Sequence, residues 1–426
     1  MSIEHVHVAI LGAGIAGLGA AHRANQLGLT DVVVFEARSS AGGLLDNFTL
    51  DGFRFDHAVH LSFASEPEVR EVFDRAPYLT HPADAKCHES GRWLKHPVQN
   101  NLYPLPADEK VALVKSFLDR PAALGEADYE SWLRHQYGDA IANRYPIRYT
   151  RKYWDTPACD LSTTWVGNRM RRAELDEILH GAFTDETPNY YYTKEMRYPE
   201  RGGFKAFIQP LIDASNIRLN HRIQTIDTTQ KVLSFDNGRQ VSYDLLVSSL
   251  PLPVLATLCT DVPESVRESA GMLRATSLDL VSVAFNKPLV KDLWFYIYDG
   301  EFLASRAYSP SVKSPENAPA GCSSLQFEIY ARGTESAHTP EEVVANTRLT
   351  IKRLGIAKDS DILFTDHRRL PYGNVIFDLG MEARRDKVLA WCEQVEIRSC
   401  GRFGRWDYLW SNQSFLSGYH SLDDAA

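Results

Sequence analysis

The run "HVHVAILGAGIAGLGAAHRANQLGLTDVVVFEARSSAGG", beginning at His5, passes from an apolar stretch to a glycine-rich turn, an alanine-rich segment and a second apolar stretch. That order is the pattern of a β–α–β unit, and it predicts strands over His7 to Leu11 and Asp31 to Phe35 with a buried helix over Ile15 to Leu27. From about Glu66 to His180 the period lengthens: "DEKVALVKSFLDR" and "DYESWLRHQYGDAI" place apolar residues at helical spacing. Short alternating strands return over Arg218 to Leu250, where Asn237-Gly238 supplies a hairpin turn. Beyond Pro251, "TSLDLVSVAFNKPL", "LWFYIYDGEFLASRAYS" and "CSSLQFEIYAR" read as strands, followed by helices near Pro340 to Leu354 and Met381 to Gln394.

At 426 residues the chain exceeds the roughly 150 of a typical domain, so two or three domains are expected. Hydrophobic residues make up 44% and charged residues 24%, the usage of a globular protein without disorder. Its 46 Lys and Arg against 55 Asp and Glu give a net charge of -9, which opposes nonspecific attraction to nucleic acid or an anionic membrane. No apolar run reaches the ~20 residues of a membrane span, and the first residues lack a basic and apolar leader, so a cytoplasmic location is expected. Cys87, Cys159, Cys259, Cys322, Cys392 and Cys400 show no CxxC spacing and read as reduced structural residues. The paired histidines of "DHAVHL" lack further ligands nearby, so no metal is expected.

Gly12, Gly14 and Gly17 form GxGxxG between a strand and a helix, where glycine permits a tight turn, close approach to a pyrophosphate and helix–sheet packing. Glu36 ends the second apolar run, roughly 20 residues on, where a carboxylate accepts ribose hydroxyls. Strand context plus carboxylate favours dinucleotide binding over a plain glycine turn. Near the other end, "CGRFGRWDYLWSNQSF" is too aromatic for a solvated tail and too polar for a core helix.

The continuation "EARSSAGGLLDNFTLDGFRFDHAVH", with Arg38, Gly42-Gly43, Leu44 and Asp56, resembles the second half of the FAD fingerprint of the flavin amine-oxidase superfamily. Downstream, "HPVQNNLYPLPADEKV", "YWDTPACDLSTTWVGNRM", "MRYPERGGFKAFI" and "GRFGRWDYLWSNQ" resemble, in order, segments of the UDP-galactopyranose mutase family in its eukaryotic-type branch. The resemblance implies an α/β fold: a discontinuous Rossmann-like FAD-binding domain from about 1–65, 200–255 and 380–426, an inserted helical domain at 66–199, and an antiparallel-sheet substrate domain at 256–379. It further implies FAD as cofactor, active when reduced, with NADPH or NADH as a fitting reductant although no second dinucleotide fingerprint is present. The implied reaction interconverts pyranose and furanose forms of a UDP-sugar without net oxidation, N5 of the reduced flavin attacking the anomeric carbon as UDP leaves and returns. Supply of a polysaccharide or glycoconjugate precursor follows from the same resemblance.

Matched position by position, Arg169 and Arg306 correspond to the family's diphosphate arginines, a pairing that suits the forked donors of guanidinium. Tyr296, Tyr372 and Tyr408 correspond to diphosphate tyrosines, Val98 and Gln99 to uracil contacts, and Trp154 to a sugar contact. His60 corresponds to the histidine beside the flavin. In the terminal stretch Arg402 and Gln413 are expected on the FAD and Asn412 with Tyr408 on the substrate, while Trp406 and Trp410 read as packing residues and Arg405 as exposed. Each aromatic has core packing as its alternative. Ala58-Val59 stands where the family has a glycine pair, Gly373 where it has proline, and "SFLSG" is short, so another nucleotide sugar is an open alternative. An FAD-dependent amine oxidase or desaturase, predicting net oxidation, is the rival reaction class, and a noncatalytic nucleotide-sugar-binding flavoprotein the third reading.

Overall fold

The protein is described by a computed structural model covering residues 3–122, 128–167, 169–170, 174–188 and 195–425. The opening pattern folds as read, with β1 (Glu4–Leu11), α1 (Ile15–Gln26) and β2 (Val32–Phe35). Strand β1 begins three residues earlier than its apolar run because His5 and His7 lie on the exposed side of the alternation, where both reach Asp244.

β1 lies inside a seven-stranded sheet whose order is Ile223–Asp227, Val232–Phe235, Gln240–Ser248, β1, β2 and Ile217–Arg218, with Ile397–Ser399 paired to Gln240–Ser248. The strands beside β1 run parallel to it, with Val8 opposite Leu245 and Val32. Asn237-Gly238 turns the antiparallel hairpin, Gly238 having φ +78°. Val8, Ile10, Val34 and Val247 are fully buried beneath α1.

A second seven-stranded sheet has the order Ile362–Leu370, Thr276–Phe285, Ser323–Arg332, Arg306–Tyr308, Trp294–Ile297, Lys86–Glu89 and Arg92–Lys95. All ten residues of Thr276–Phe285 are buried, as expected for a strand covered on both faces. Helices Ala107–Leu118, Tyr129–Arg144, Pro146–Trp154 and Leu175–Phe183 pack against one another, and Pro146–Trp154 lies against strand Ser323–Arg332 of the second sheet. The helical reading from Glu66 onward needs correction in two places: Tyr78–His81 is a strand paired with Met196–Pro199, and the hairpin Lys86–Lys95 is β structure that completes the second sheet through a parallel pairing with Trp294–Ile297. Helices Pro340–Arg353 and Met381–Gln394 stand where the pattern put them.

The terminal stretch forms helices Gly401–Gly404 and Ser411–Tyr419, the second lying directly on α1. A Cβ on Gly418 would sit 1.8 Å from the carbonyl oxygen of Ala16, and one on Gly19 would sit 2.5 Å from that of Phe415. Glycine at both places lets the two helices touch backbone to backbone. Among the described residues no helix is long and apolar enough to cross a membrane, and no group of three or more His, Cys, Asp or Glu is arranged to hold a metal. The six cysteines are unpaired, four of them buried.

Candidate functional site

Between the two sheets lies a cavity of about 1370 Å³, lined at one end by Gly12, Gly14, Glu36, Arg38, Gly42 and Gly43. The loop after β1 is set by its glycines. Gly12 has φ +96°, and Gly17 brings the first turn of α1 so close that a Cβ there would lie 2.0 Å from the Gly12 carbonyl oxygen. The Glu36 carboxylate accepts from the amides of Ala13 (2.9 Å) and Arg38 (2.9 Å), which holds it at the loop. Arg38 donates to the Gly43 carbonyl at 3.2 Å. A Cβ on Gly43 would meet the Gly14 Cα at 3.1 Å, so the two glycine segments form one narrow backbone cradle. Such a cradle with a carboxylate beside it fits a dinucleotide.

His60 lines the cavity beyond this cradle. Its Nε2 lies 2.9 Å from the Leu44 carbonyl and 3.0 Å from that of His57; both partners are acceptors, so this nitrogen carries the proton. Burial disfavours the imidazolium and pushes the pKa down to about 4, leaving a neutral ring at neutral pH. Behind it Asp56, almost fully buried, accepts from Tyr198 Oη (2.7 Å), the Phe204 amide (3.1 Å) and Lys313 Nζ (3.4 Å).

The second sheet builds the opposite wall. Strand register sets Tyr296 opposite Arg306 and Arg306 opposite Glu328, so the three side chains share one face. Arg306 donates through Nε to Glu328 and through Nη2 to Tyr330 Oη at 3.3 Å, and its guanidinium lies 5.5 Å from the Tyr153 ring. Arg169 comes from the loop after Trp165. It donates to the carbonyls of Trp165 (3.2 Å) and Tyr408, and its guanidinium lies 4.8 Å from the Tyr408 ring and 5.0 Å from that of Trp410. Tyr408 also faces Arg402 at 5.1 Å, and its hydroxyl lies 3.2 Å from that of Tyr153. Burial pushes the hydroxyls of Tyr149, Tyr330 and Tyr408 well above the ordinary tyrosine range, so each keeps its proton and can donate.

Of the residues singled out above, Gly12, Gly14, Glu36, Arg38, Gly42, Gly43, Leu44, His60, Gln99, Trp154, Arg169, Tyr296, Arg306, Tyr372, Arg402 and Tyr408 line this single cavity. Gly17 supports the loop from behind. Three others lie elsewhere. Val98 is buried in the turn Val98–Asn100, packed in the core. Asn412 donates to Glu66 at 2.7 Å. Gln413 caps its own helix by accepting from the Trp410 amide at 3.0 Å and borders a separate cavity of about 780 Å³. Trp410, read as a packing residue, instead lines the main cavity beside Phe63 and Arg169. Tyr149 and Tyr153, one helical turn apart, were legible as an aromatic i,i+4 pair. Tyr330 follows Glu328 by the period of two that keeps both on one face, a signal carried by alternation alone. Asn374 accepts from Arg402 Nη1 at 3.3 Å and is 2% exposed, with an amide nitrogen that has no hydrogen-bond partner among the described residues; no local motif marked it.

Residues 10–76 match the model of an NAD(P)-binding Rossmann-like domain. A Baeyer-Villiger monooxygenase of Streptomyces coelicolor is 44% identical over 89 residues, 19% of this chain and 17% of that protein. A protoporphyrinogen oxidase of Arabidopsis thaliana is 39% identical over 73 residues, 17% of this chain and 14% of that protein. The chain thus spans less than a fifth of the length of these curated relatives. Among solved structures, a crystal structure of reduced UDP-galactopyranose mutase superposes with a TM-score of 0.92 at 24% identity, covering 99% of this chain and 95% of that one. Putrescine oxidase bound to putrescine superposes with a TM-score of 0.65 at 16% identity, covering 100% and 99%. From the glycine cradle to the terminal helices, the fold of this chain is that of UDP-galactopyranose mutase.

Proposed function

We propose that the protein is a flavin-dependent mutase that interconverts the pyranose and furanose forms of a nucleotide sugar, UDP-galactopyranose and UDP-galactofuranose in the first instance, and so supplies a furanose precursor for polysaccharide or glycoconjugate synthesis. The observation that carries this reading is the far half of the cavity, where Arg169 and Arg306, from separate segments, stand among tyrosine hydroxyls on a wall continuous with the glycine cradle. Two guanidiniums with hydrogen-bond donors around them, that of Arg306 held in place by Glu328, offer the forked geometry that suits a diphosphate. The volume, above the ~300–1,000 Å³ of a single small-molecule site, leaves room for a second ligand beside a dinucleotide.

In this reading Gly12, Gly14, Gly42 and Gly43 hold the FAD pyrophosphate, Glu36 the ribose, and His60 and Arg402 lie along the flavin. Reduced FAD, with NADPH or NADH as electron source, supplies a nucleophilic ring nitrogen for displacement at the anomeric carbon. The protein's own part is to position and to stabilise charge. Arg169 and Arg306 bind the UDP that departs and retain it for return, Tyr296, Tyr372 and Tyr408 donate to its phosphates, Gln99 meets the base, and Trp154 walls the sugar. Neutral His60, with its proton directed to Leu44 and His57, places no charge beside the cofactor.

The test is anaerobic incubation of the dithionite-reduced flavoprotein with UDP-galactofuranose, following UDP-galactopyranose by chromatography beside an oxidised control. Conversion is expected only in the reduced sample. Arg306→Ala should retain flavin and lose about 10²–10³-fold in kcat/KM. Inert reduced enzyme that consumes oxygen with amines would move the assignment to amine oxidation.

A further inference from the structure

Glu328 is wholly buried, and its two oxygens serve opposite walls of the cavity. Oε2 accepts from Arg306 Nε and, at 2.8 Å, from Tyr330 Oη. Oε1 accepts at 3.0 Å from the amide of Val59, on the turn that carries His60. The neighbouring Ala58 has φ +79°, a left-handed conformation that is strained for an alanine and persists only where surrounding contacts hold it. The Val59–Glu328 hydrogen bond is such a contact. One carboxylate therefore ties the arginine wall to a strained turn on the cofactor wall.

We propose that Glu328 is a positioning residue that couples occupancy of the diphosphate site to the turn bearing His60. The inference rests on the nucleotide-sugar reading above. A diphosphate that engages Arg306 competes with Glu328 for the guanidinium. The carboxylate, less compensated by Arg306, then places more of its charge on the remaining donors and strengthens its hydrogen bond to Val59. Binding at one wall thus tightens the hold on Ala58 and Val59 at the other, and by linkage a change in the turn alters affinity at Arg306.

Hydrogen–deuterium exchange of the FAD-loaded enzyme, resolved to the Val59 amide and run with and without UDP, tests the coupling. UDP binding is measured separately by calorimetry. In the wild type UDP should slow exchange at Val59 by about tenfold. Glu328→Gln keeps a carbonyl oxygen for the Val59 amide but offers Arg306 no charge; it should bind UDP and show no UDP-dependent change at Val59. UDP binding to the wild type with unchanged exchange at Val59 overturns the coupling and leaves the nucleotide reading standing. A full UDP response in Glu328→Gln overturns it as well. Absence of UDP binding in calorimetry overturns the nucleotide reading and the coupling together. If Glu328→Gln does not fold, the wild-type comparison decides by itself.

Discussion

His60 and His96 both line the cavity, and burial pushes each imidazole down to about 4. Because the folded value lies below the unfolded 6.5, their contribution to stability is whole above pH 6.5 and is lost as pH falls from there through 4. Each should account for about 1–2 kcal/mol of the fall in unfolding free energy between pH 8 and pH 5. Urea titrations of the wild type and His60→Gln at both pH values check this, the variant showing the shallower dependence. At neutral pH the positive charge of the cavity then belongs to its arginines. At this scale the sequence was legible where chemistry depends on residue type and local spacing, as in the glycine cradle with Glu36. It was less legible where orientation decides: Gln413 and Asn412 bear suitable groups, but hydrogen bonds to the Trp410 amide and to Glu66 turn them aside.

The helical insertion is bolted to the second sheet by Arg144, which donates from Nε and Nη2 to both oxygens of buried Glu89 at 2.9 and 2.8 Å and meets Glu109 at 2.8 Å. Arg144→Met would strand a buried carboxylate, with only Arg148 at 4.0 Å to compensate among the described residues. A loss of about 2–4 kcal/mol is expected, read as a lower urea midpoint with the same spectrum of bound flavin. The same place shows why the hairpin Lys86–Lys95 escaped the apolar pattern. Its strands are four residues long and rich in charge, and their burial comes from Trp294–Ile297, some two hundred positions away. The β–α–β unit, by contrast, contains its own turn and both apolar faces within one local stretch.

For the molecule as a whole, the cavity lies where pieces distant in sequence meet, so its ligand also holds those pieces together. FAD held at a hundred times its Kd should raise the unfolding free energy by about 2.7 kcal/mol, and flavin removal should lower the thermal midpoint in a way that added FAD reverses. Overall architecture was legible from the alternation of element types, whereas the closing of two sheets on one cavity depends on long-range pairing that no window of sequence displays.

The glycine seam between α1 and helix Ser411–Tyr419 carries a consequence for biogenesis. Arg23 of α1 donates to Tyr419 across 396 positions of chain. At about 5–20 residues per second, the ribosome delivers the second helix roughly 20–80 s after the first. Through that interval the nascent glycine face of α1 is uncovered and Arg402 and Tyr408 are not yet made. On the proposed flavin reading, loading of the cofactor belongs to the end of synthesis, and the uncovered face in the meantime is of the kind that chaperones shield.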